Sequence, residues 1–163
     1  MHTGPVIMGF DGGPSSVRAL GEAAALLGPR TALVVLVWEA GRSFQAATLP
    51  EKALELPPAT VDIRTAFEVE KAAYEAAQRL AEKGAALATR AGFKAEGLAV
   101  ADDVTVAETL IRLARELDAQ AVVIGAHRHR ELRRQAPGST LSGLLRGAPC
   151  PVLVCGAAPH GTA

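Results

Sequence analysis

Two kinds of hydrophobic pattern alternate along this chain. In the first, apolar residues run together without a polar break: PVIMGFD (5–11), TALVVLVW (31–38), AVVIG (121–125) and PVLVC (151–155). Runs of this length, rich in Val, Ile and Leu, suit strands covered on both faces, as parallel sheets require. Residues 94–100 make a weaker strand that belongs towards a sheet edge. In the second pattern, apolar residues recur every three or four positions, which is the period of a helix packed on one side. Residues 14–27 carry Val17, Leu20, Ala24 and Leu27 at that spacing. Residues 61–91 carry Phe67, Tyr74, Ala77, Leu80, Ala81, Leu87 and Ala88, while Glu68, Lys71, Glu75, Arg79, Glu82 and Lys83 lie mainly outside the stripe. A third helix has Val104, Ala107, Leu110, Ile111, Ala114 and Leu117 as its inner face, and a fourth spans 139–147.

Punctuation agrees with the periods. Gly12, Gly13 and Pro14 break the first strand, and Pro14 with Ser15 and Ser16 suits a helix start. Gly28 and Pro29 stop that helix, and Gly92 stands where a helix C-terminal glycine is expected. Asp102, Asp103 or Thr105 caps the third helix, with Thr105 and Glu108 spaced as a capping box. Residues 39–60 have no period and several prolines, so they read as a surface loop with one helical turn near 50–55. Five strands alternate with four helices, so the fold class is α/β, in one domain over 1–156 with a flexible tail at 157–163. If the first and fourth strands are neighbours, the crevice between their carboxyl ends is where a nucleotide would sit.

Composition narrows the setting. At 163 residues and 49% hydrophobic, the chain can bury a substantial core, and with 4% aromatic residues that core is mostly Ala, Val, Leu and Ile. Seventeen basic and seventeen acidic residues cancel, which gives no global reason to expect nucleic acid or an anionic membrane as partner. No apolar run reaches the roughly 18 residues of a membrane span. The N-terminus lacks a basic region followed by an apolar one, so a cytoplasmic location is the expectation. Cys150 and Cys155 would lie roughly 16 Å apart along an extended strand, too far for a disulfide. Their odd spacing also turns them to opposite faces.

The stretch from 121 to 156 holds the richest candidate chemistry. Strand 121–125 ends in Gly125, and Gly138 with Ser139 opens the last helix. A glycine after a strand lets the backbone approach a ligand closely. A Gly-Ser helix start offers unbonded N–H groups at the positive end of the helix dipole, which favours a phosphate. Between them lies HRHRELRR (127–134), with four arginines and two histidines. It reads either as a solvated basic loop or as an electrostatic lure for a polyphosphate. His127 and His129 lack a third nearby ligand for a metal. Asp11 fits either a helix-entry cap or a ligand contact facing the glycine turn. Trp38 favours packing over an adenine stack.

The chain resembles the universal stress protein family over almost its whole length. GFDGGPSS looks like that family's first strand and turn, with Asp11 at its acidic position. VADDVTVAETLIRLARELDAQAVVIG looks like the stretch leading into its fourth strand. ATP-binding members carry Gly, two residues, Gly, nine residues, then Gly and Ser or Thr. Here Gly125, Gly138 and Ser139 match at the right spacing, and Arg128 stands at the second glycine position. The resemblance implies a three-layer α/β/α fold with a five-stranded parallel sheet ordered 3-2-1-4-5. It implies a homodimer paired along strand 151–155. It also implies ATP as ligand, with ADP or AMP as alternatives and Mg compatible with the nucleotide. Adenine would lie near Asp11 and Val37, and ribose near Gly125. The phosphates would meet the N–H groups of Gly138, Ser139 and Thr140. Arg128 would either narrow the phosphate path or pair with a phosphate through its guanidinium.

No Ser-His-Asp spacing, metal-ligand cluster or lysine beside the phosphate site points to catalysis. The expectation is a nucleotide-binding regulatory protein of the stress-response type and not an enzyme. A nucleotide-free dimeric interaction module, disabled at Arg128, is the alternative. DGGPSS superficially resembles the SGGxDS loop of ATP pyrophosphatases. However, Asp11 replaces its first serine and Ser15 its acidic residue, which ranks that enzyme reading last.

Overall fold

The computed structural model describes residues 2–40, 63–102, 104–126 and 140–156. The expected helical turn near 50–55 and the tail at 157–163 lie outside these residues. At the centre stands β1 (Val6–Gly9), whose Val6, Ile7 and Met8 are at most 1% exposed. Around it are β2 (Thr31–Trp38), β3 (Lys94–Ala101), β4 (Ala121–Gly125) and β5 (Val152–Cys155). They form one sheet ordered β3-β2-β1-β4-β5, with every pairing parallel. The chain therefore leaves β1 in one direction for β2 and β3, and returns to its other side for β4 and β5. β1 is shorter than the expected 5–11, so Asp11 lies beyond the strand, although Phe10 N–H still donates to the Val35 carbonyl at 2.9 Å.

Four helices among the described residues cover the sheet: α1 (Pro14–Leu27), α2 (Ile63–Ala91), α3 (Val106–Glu116) and α4 (Thr140–Gly147). Side chains alternate across each strand, so the sheet makes two separate cores. Val6, Met8 and Val34 pack with Leu20 of α1 and Ala85 of α2 on one face. Ile7, Val35 and Val122 pack with Leu110 of α3 and Leu144 of α4 on the other. The result is the expected three layers. Cys155 belongs to the first face and Cys150 packs against the second; both are free thiols. Burial, reinforced by Glu22, pushes the Cys155 thiol up to about 11.

Of the expected inner faces, Leu20 on α1, Ala77, Ala81 and Ala88 on α2, and Ala107, Leu110, Ile111 and Ala114 on α3 are buried, but several of the large apolar side chains are not. Val17 of α1 is 40% exposed, while Ala19 and Ala23 are buried. On α2, Phe67 and Tyr74 are 63% and 44% exposed, and the buried stripe is Ala66, Ala77, Ala81, Gly84, Ala85 and Ala88. On the α3 side, Val104 and Leu117 are exposed and Leu113 is buried. The reason is distance. A Cβ added to Gly84 would lie 2.8 Å from the Phe10 ring, and one on Gly97 would lie 2.5 Å from the Ala81 backbone. With helix and sheet this close, Ala and Gly hold the points of nearest approach, and Leu80 and Leu87 pack half-buried beside them.

The caps follow the expected chemistry. Thr105 Oγ1 accepts from the Glu108 N–H at 3.1 Å and donates to the Glu108 carboxylate at 3.1 Å. Gly28 and Gly92 hold φ of 68° and 114° just past the ends of α1 and α2, where a side chain would be strained. No described helix is long and apolar enough to cross a membrane.

Replacing a helix-interior glycine by alanine ordinarily stabilises a helix by about 1 kcal/mol. Gly84→Ala should do the opposite. Its methyl must displace Phe10 or Val34, and overpacking of this kind costs about 1–3 kcal/mol. A lowered urea midpoint with an unchanged m-value is the expected result.

Candidate functional site

A cleft of about 420 Å³ opens at the carboxyl ends of the central strands, where the chain's direction of travel across the sheet reverses between β1 and β4. This is the place an open parallel sheet offers a ligand, because the loops leaving two neighbouring strands part there. Its volume falls in the range of small-molecule sites. Gly9, Phe10 and Asp11 enter from the end of β1, and Ile124, Gly125 and Ala126 from the end of β4. Val35 and Val37 of β2 form one apolar side, with Val106 and Leu110 of α3 and Leu141 of α4 opposite. Ser16 and Thr140 add hydroxyls at the first turns of α1 and α4.

Asp11 is held by the turn it initiates. Its Oδ1 accepts from the Gly13 N–H at 2.8 Å and from Ser16 Oγ at 2.6 Å. Ser16 Oγ also lies 3.0 Å from the Gly13 carbonyl. Gly12, at φ 78°, makes the reversal that brings residue 11 back over the start of α1. Gly13 is the N-cap and Pro14 the first helical residue, so Ser15 and Ser16 lie inside the helix and not at its cap. The cap reading and the ligand reading of Asp11 are therefore compatible. One carboxylate oxygen organises the turn, and the residue as a whole is exposed on the cleft wall.

Gly125 has a packing duty as well as a position in the cleft. A Cβ there would lie 2.4 Å from the Ser15 carbonyl oxygen and 2.8 Å from the Ser16 nitrogen. The missing side chain is what lets the first turn of α1 rest against the end of β4. On the far side, α4 lies against α3 with equal closeness. A Cβ on Gly143 would meet that of Ala107 at 2.5 Å, and one on Gly147 would meet Ile111 at 2.9 Å. Both helix starts are thus set around the cleft by glycine contacts.

Four of the seven residues singled out from sequence, Asp11, Val37, Gly125 and Thr140, line this one cleft. Arg128, Gly138 and Ser139 lie outside the described residues, as do His127 and His129. Trp38 is not among the lining residues. Its ring packs against Tyr74, with centroids 6.0 Å apart, in keeping with the packing reading. Ser16, Val35, Val106 and Leu141 line the cleft without having been marked as site residues by the sequence patterns. Val106 carries a usable signal, because it sits one turn before Leu110 at the helix end nearest the carboxyl edge of the sheet. Among the described lining residues Asp11 is the one ionisable side chain, and no described cluster of three or more His, Cys, Asp or Glu could hold a metal. Chemically, the cleft offers apolar walls, two hydroxyls and one carboxylate.

The model of the universal stress protein family matches residues 3–156. Comparison with curated proteins gives no match. Among solved structures, a universal stress family protein from Burkholderia pseudomallei is 25% identical, with 93% of this chain and 94% of that one covered and a TM-score of 0.55. The universal stress protein from Archaeoglobus fulgidus in complex with dAMP is 18% identical, over 94% and 98% of the two chains, at a TM-score of 0.56. A family member from Arabidopsis thaliana with AMP bound is 13% identical, over 94% and 92%, at 0.59.

If Gly125 serves the contact with α1, its replacement must hurt the protein even without a ligand. Gly125→Ala should lower stability of nucleotide-free protein by about 1–3 kcal/mol, the usual cost of overpacking. Urea unfolding monitored by circular dichroism reads this out.

Proposed function

The chain belongs to the universal stress protein family, and from that premise we propose that it is an adenine-nucleotide-binding regulatory protein. The observation that carries the proposal is the convergence of Asp11, Val37, Gly125 and Thr140 on one cleft between β1 and β4. The AMP and dAMP found in two related structures support adenine as the base. In this reading the base lies between the apolar walls near Val37, with its amino group directed to Asp11. The ribose lies by Gly125. The phosphates reach the start of α4 at Thr140, together with Gly138 and Ser139, where helix N–H groups favour an anion. ATP is the proposed ligand, and Mg would enter with its phosphates, without a protein ligand assigned to it. With no described His, Lys or Cys lining the cleft beside the Asp11 carboxylate, the reading is of a protein that acts by binding, without strong catalysis.

Gently purified protein, once denatured, should release ATP, ADP or AMP, and the apo form should gain thermal stability with millimolar ATP. Empty protein with no thermal shift would overturn the proposal and leave a nucleotide-free interaction module, the reading that Arg128 at the second glycine position of the motif favours. Asp11→Asn sharpens the test. It keeps the acceptor that Gly13 needs but turns the second oxygen into a donor, which opposes a base amino group. Affinity for ATP should fall about tenfold, or about 1.4 kcal/mol, measured by titration against the wild type.

We also propose a homodimer paired through β5. β5 is a sheet edge whose Val152, Leu153 and Val154 are half-buried in the single chain. An apolar edge strand of this kind is a template for pairing. Sedimentation at micromolar concentration should give a dimer, and Val154→Lys should shift the equilibrium towards monomer.

A further inference from the structure

Among the described residues, the two outer strands of the sheet are β3 and β5. Along β3, even-numbered residues turn their backbone amides towards β2. The Lys94 N–H donates to the Arg30 carbonyl at 2.9 Å, and the Asp102 N–H donates to the Trp38 carbonyl at 2.9 Å. Odd-numbered residues therefore turn theirs outward, because backbone groups alternate sides along a strand. Such an outward row of N–H and C=O groups is a ready template for another strand.

On β3 the middle of that row is occupied. Gln78 of α2 donates from Nε2 to the Gly97 carbonyl at 3.1 Å and accepts at Oε1 from the Ala99 N–H at 2.9 Å. A carbonyl can only accept and an N–H can only donate, so these two partners set which way the carboxamide faces. Nε2 also donates to Glu82 one turn further on, at 3.0 Å. In a parallel ladder, a partner residue opposite Leu98 would donate to the carbonyl of residue 97 and accept from the amide of residue 99. The Gln78 carboxamide makes the same two bonds. Gly97 brings it within reach. Because a Cβ there would collide with the Ala81 backbone, α2 lies directly on this strand and a glutamine spans the remaining distance.

We propose that Gln78 closes the β3 edge: its carboxamide stands in for a sixth strand and prevents a second copy of this chain from pairing there. Lys94 and Glu96, both exposed on the same strand, add charge to the end before Gly97. Pairing through β5 does not disturb the comparison, since wild-type protein at each concentration is the reference.

Hydrogen exchange at Ala99 and sedimentation velocity test it together. Gln78→Leu keeps the bulk and removes both bonds. At low micromolar concentration the Ala99 amide should exchange roughly tenfold faster, as expected when a local hydrogen bond is lost. At high micromolar concentration it should regain protection, and species larger than those of the wild type should appear. Gln78→Glu keeps the acceptor for Ala99 and loses the donor to Gly97, so it should show a smaller rise in association; it also serves if the leucine variant folds poorly. Protected α2 amides report that the helix remains in place. With the helix in place, unchanged Ala99 exchange would overturn the proposal. So would faster exchange with no rise in association over the wild type.

Discussion

The approach of helix backbones to the sheet is the constraint on which the rest of this structure depends. At Gly84, Gly97 and Gly125 the space for one methyl group is already taken by a ring or by another backbone. Aromatic side chains to fill a wider gap are scarce, at 4% of the chain. Where Ala and Gly face the sheet, dispersion energy is gained by shortening the distance between layers, since a gap of even about half an ångström forfeits much of each contact. Glycine inside a helix costs about 1 kcal/mol in propensity. That cost is offset here by the packing it permits between Ala77 and Ala88 of α2.

The same constraint builds the cleft. Gly125 lets the first turn of α1 come against the end of β4, and Gly143 and Gly147 let α4 come against α3. The two helix starts then stand on either side of the gap between β1 and β4. Asp11 is placed by its own turn, through Gly13 and Ser16, and not by the sheet. Position and chemistry therefore have separate origins. Topology and glycine contacts make the space, and a local turn supplies its carboxylate.

The strands are legible in the sequence because both faces of the sheet are covered, which leaves uninterrupted apolar runs such as AVVIG and TALVVLVW. Parallel order is implied by the family resemblance and is what β1 to β5 adopt. The inner face of α2 is less legible, because its largest side chains are not the ones that meet the sheet. Phe67 and Tyr74 mark the outside of α2 better than its inside, because Ala and Gly occupy the points where the helix comes nearest the sheet. Likewise Gly125 is legible as a special position, but its steric partner, Ser15, lies 110 positions away in sequence (125 minus 15) and no local pattern reveals it. Leu141 is hidden for the same reason: it belongs to a helix whose placement is set by contacts made elsewhere.

The closeness of α2 also has a consequence beyond packing. A helix at ordinary distance from an edge strand covers its face and leaves its hydrogen-bonding row open. A helix that rests on Gly97 brings a side chain of modest length level with that row, and Gln78 meets a carbonyl and an amide two residues apart. An edge can be blunted by charge, by proline or by a bulge. A carboxamide differs from these in satisfying the exposed groups as well as obstructing them, so the backbone polar groups at the centre of β3 keep partners without another chain. One glycine thereby couples the density of the core to the chemistry of the sheet's edge.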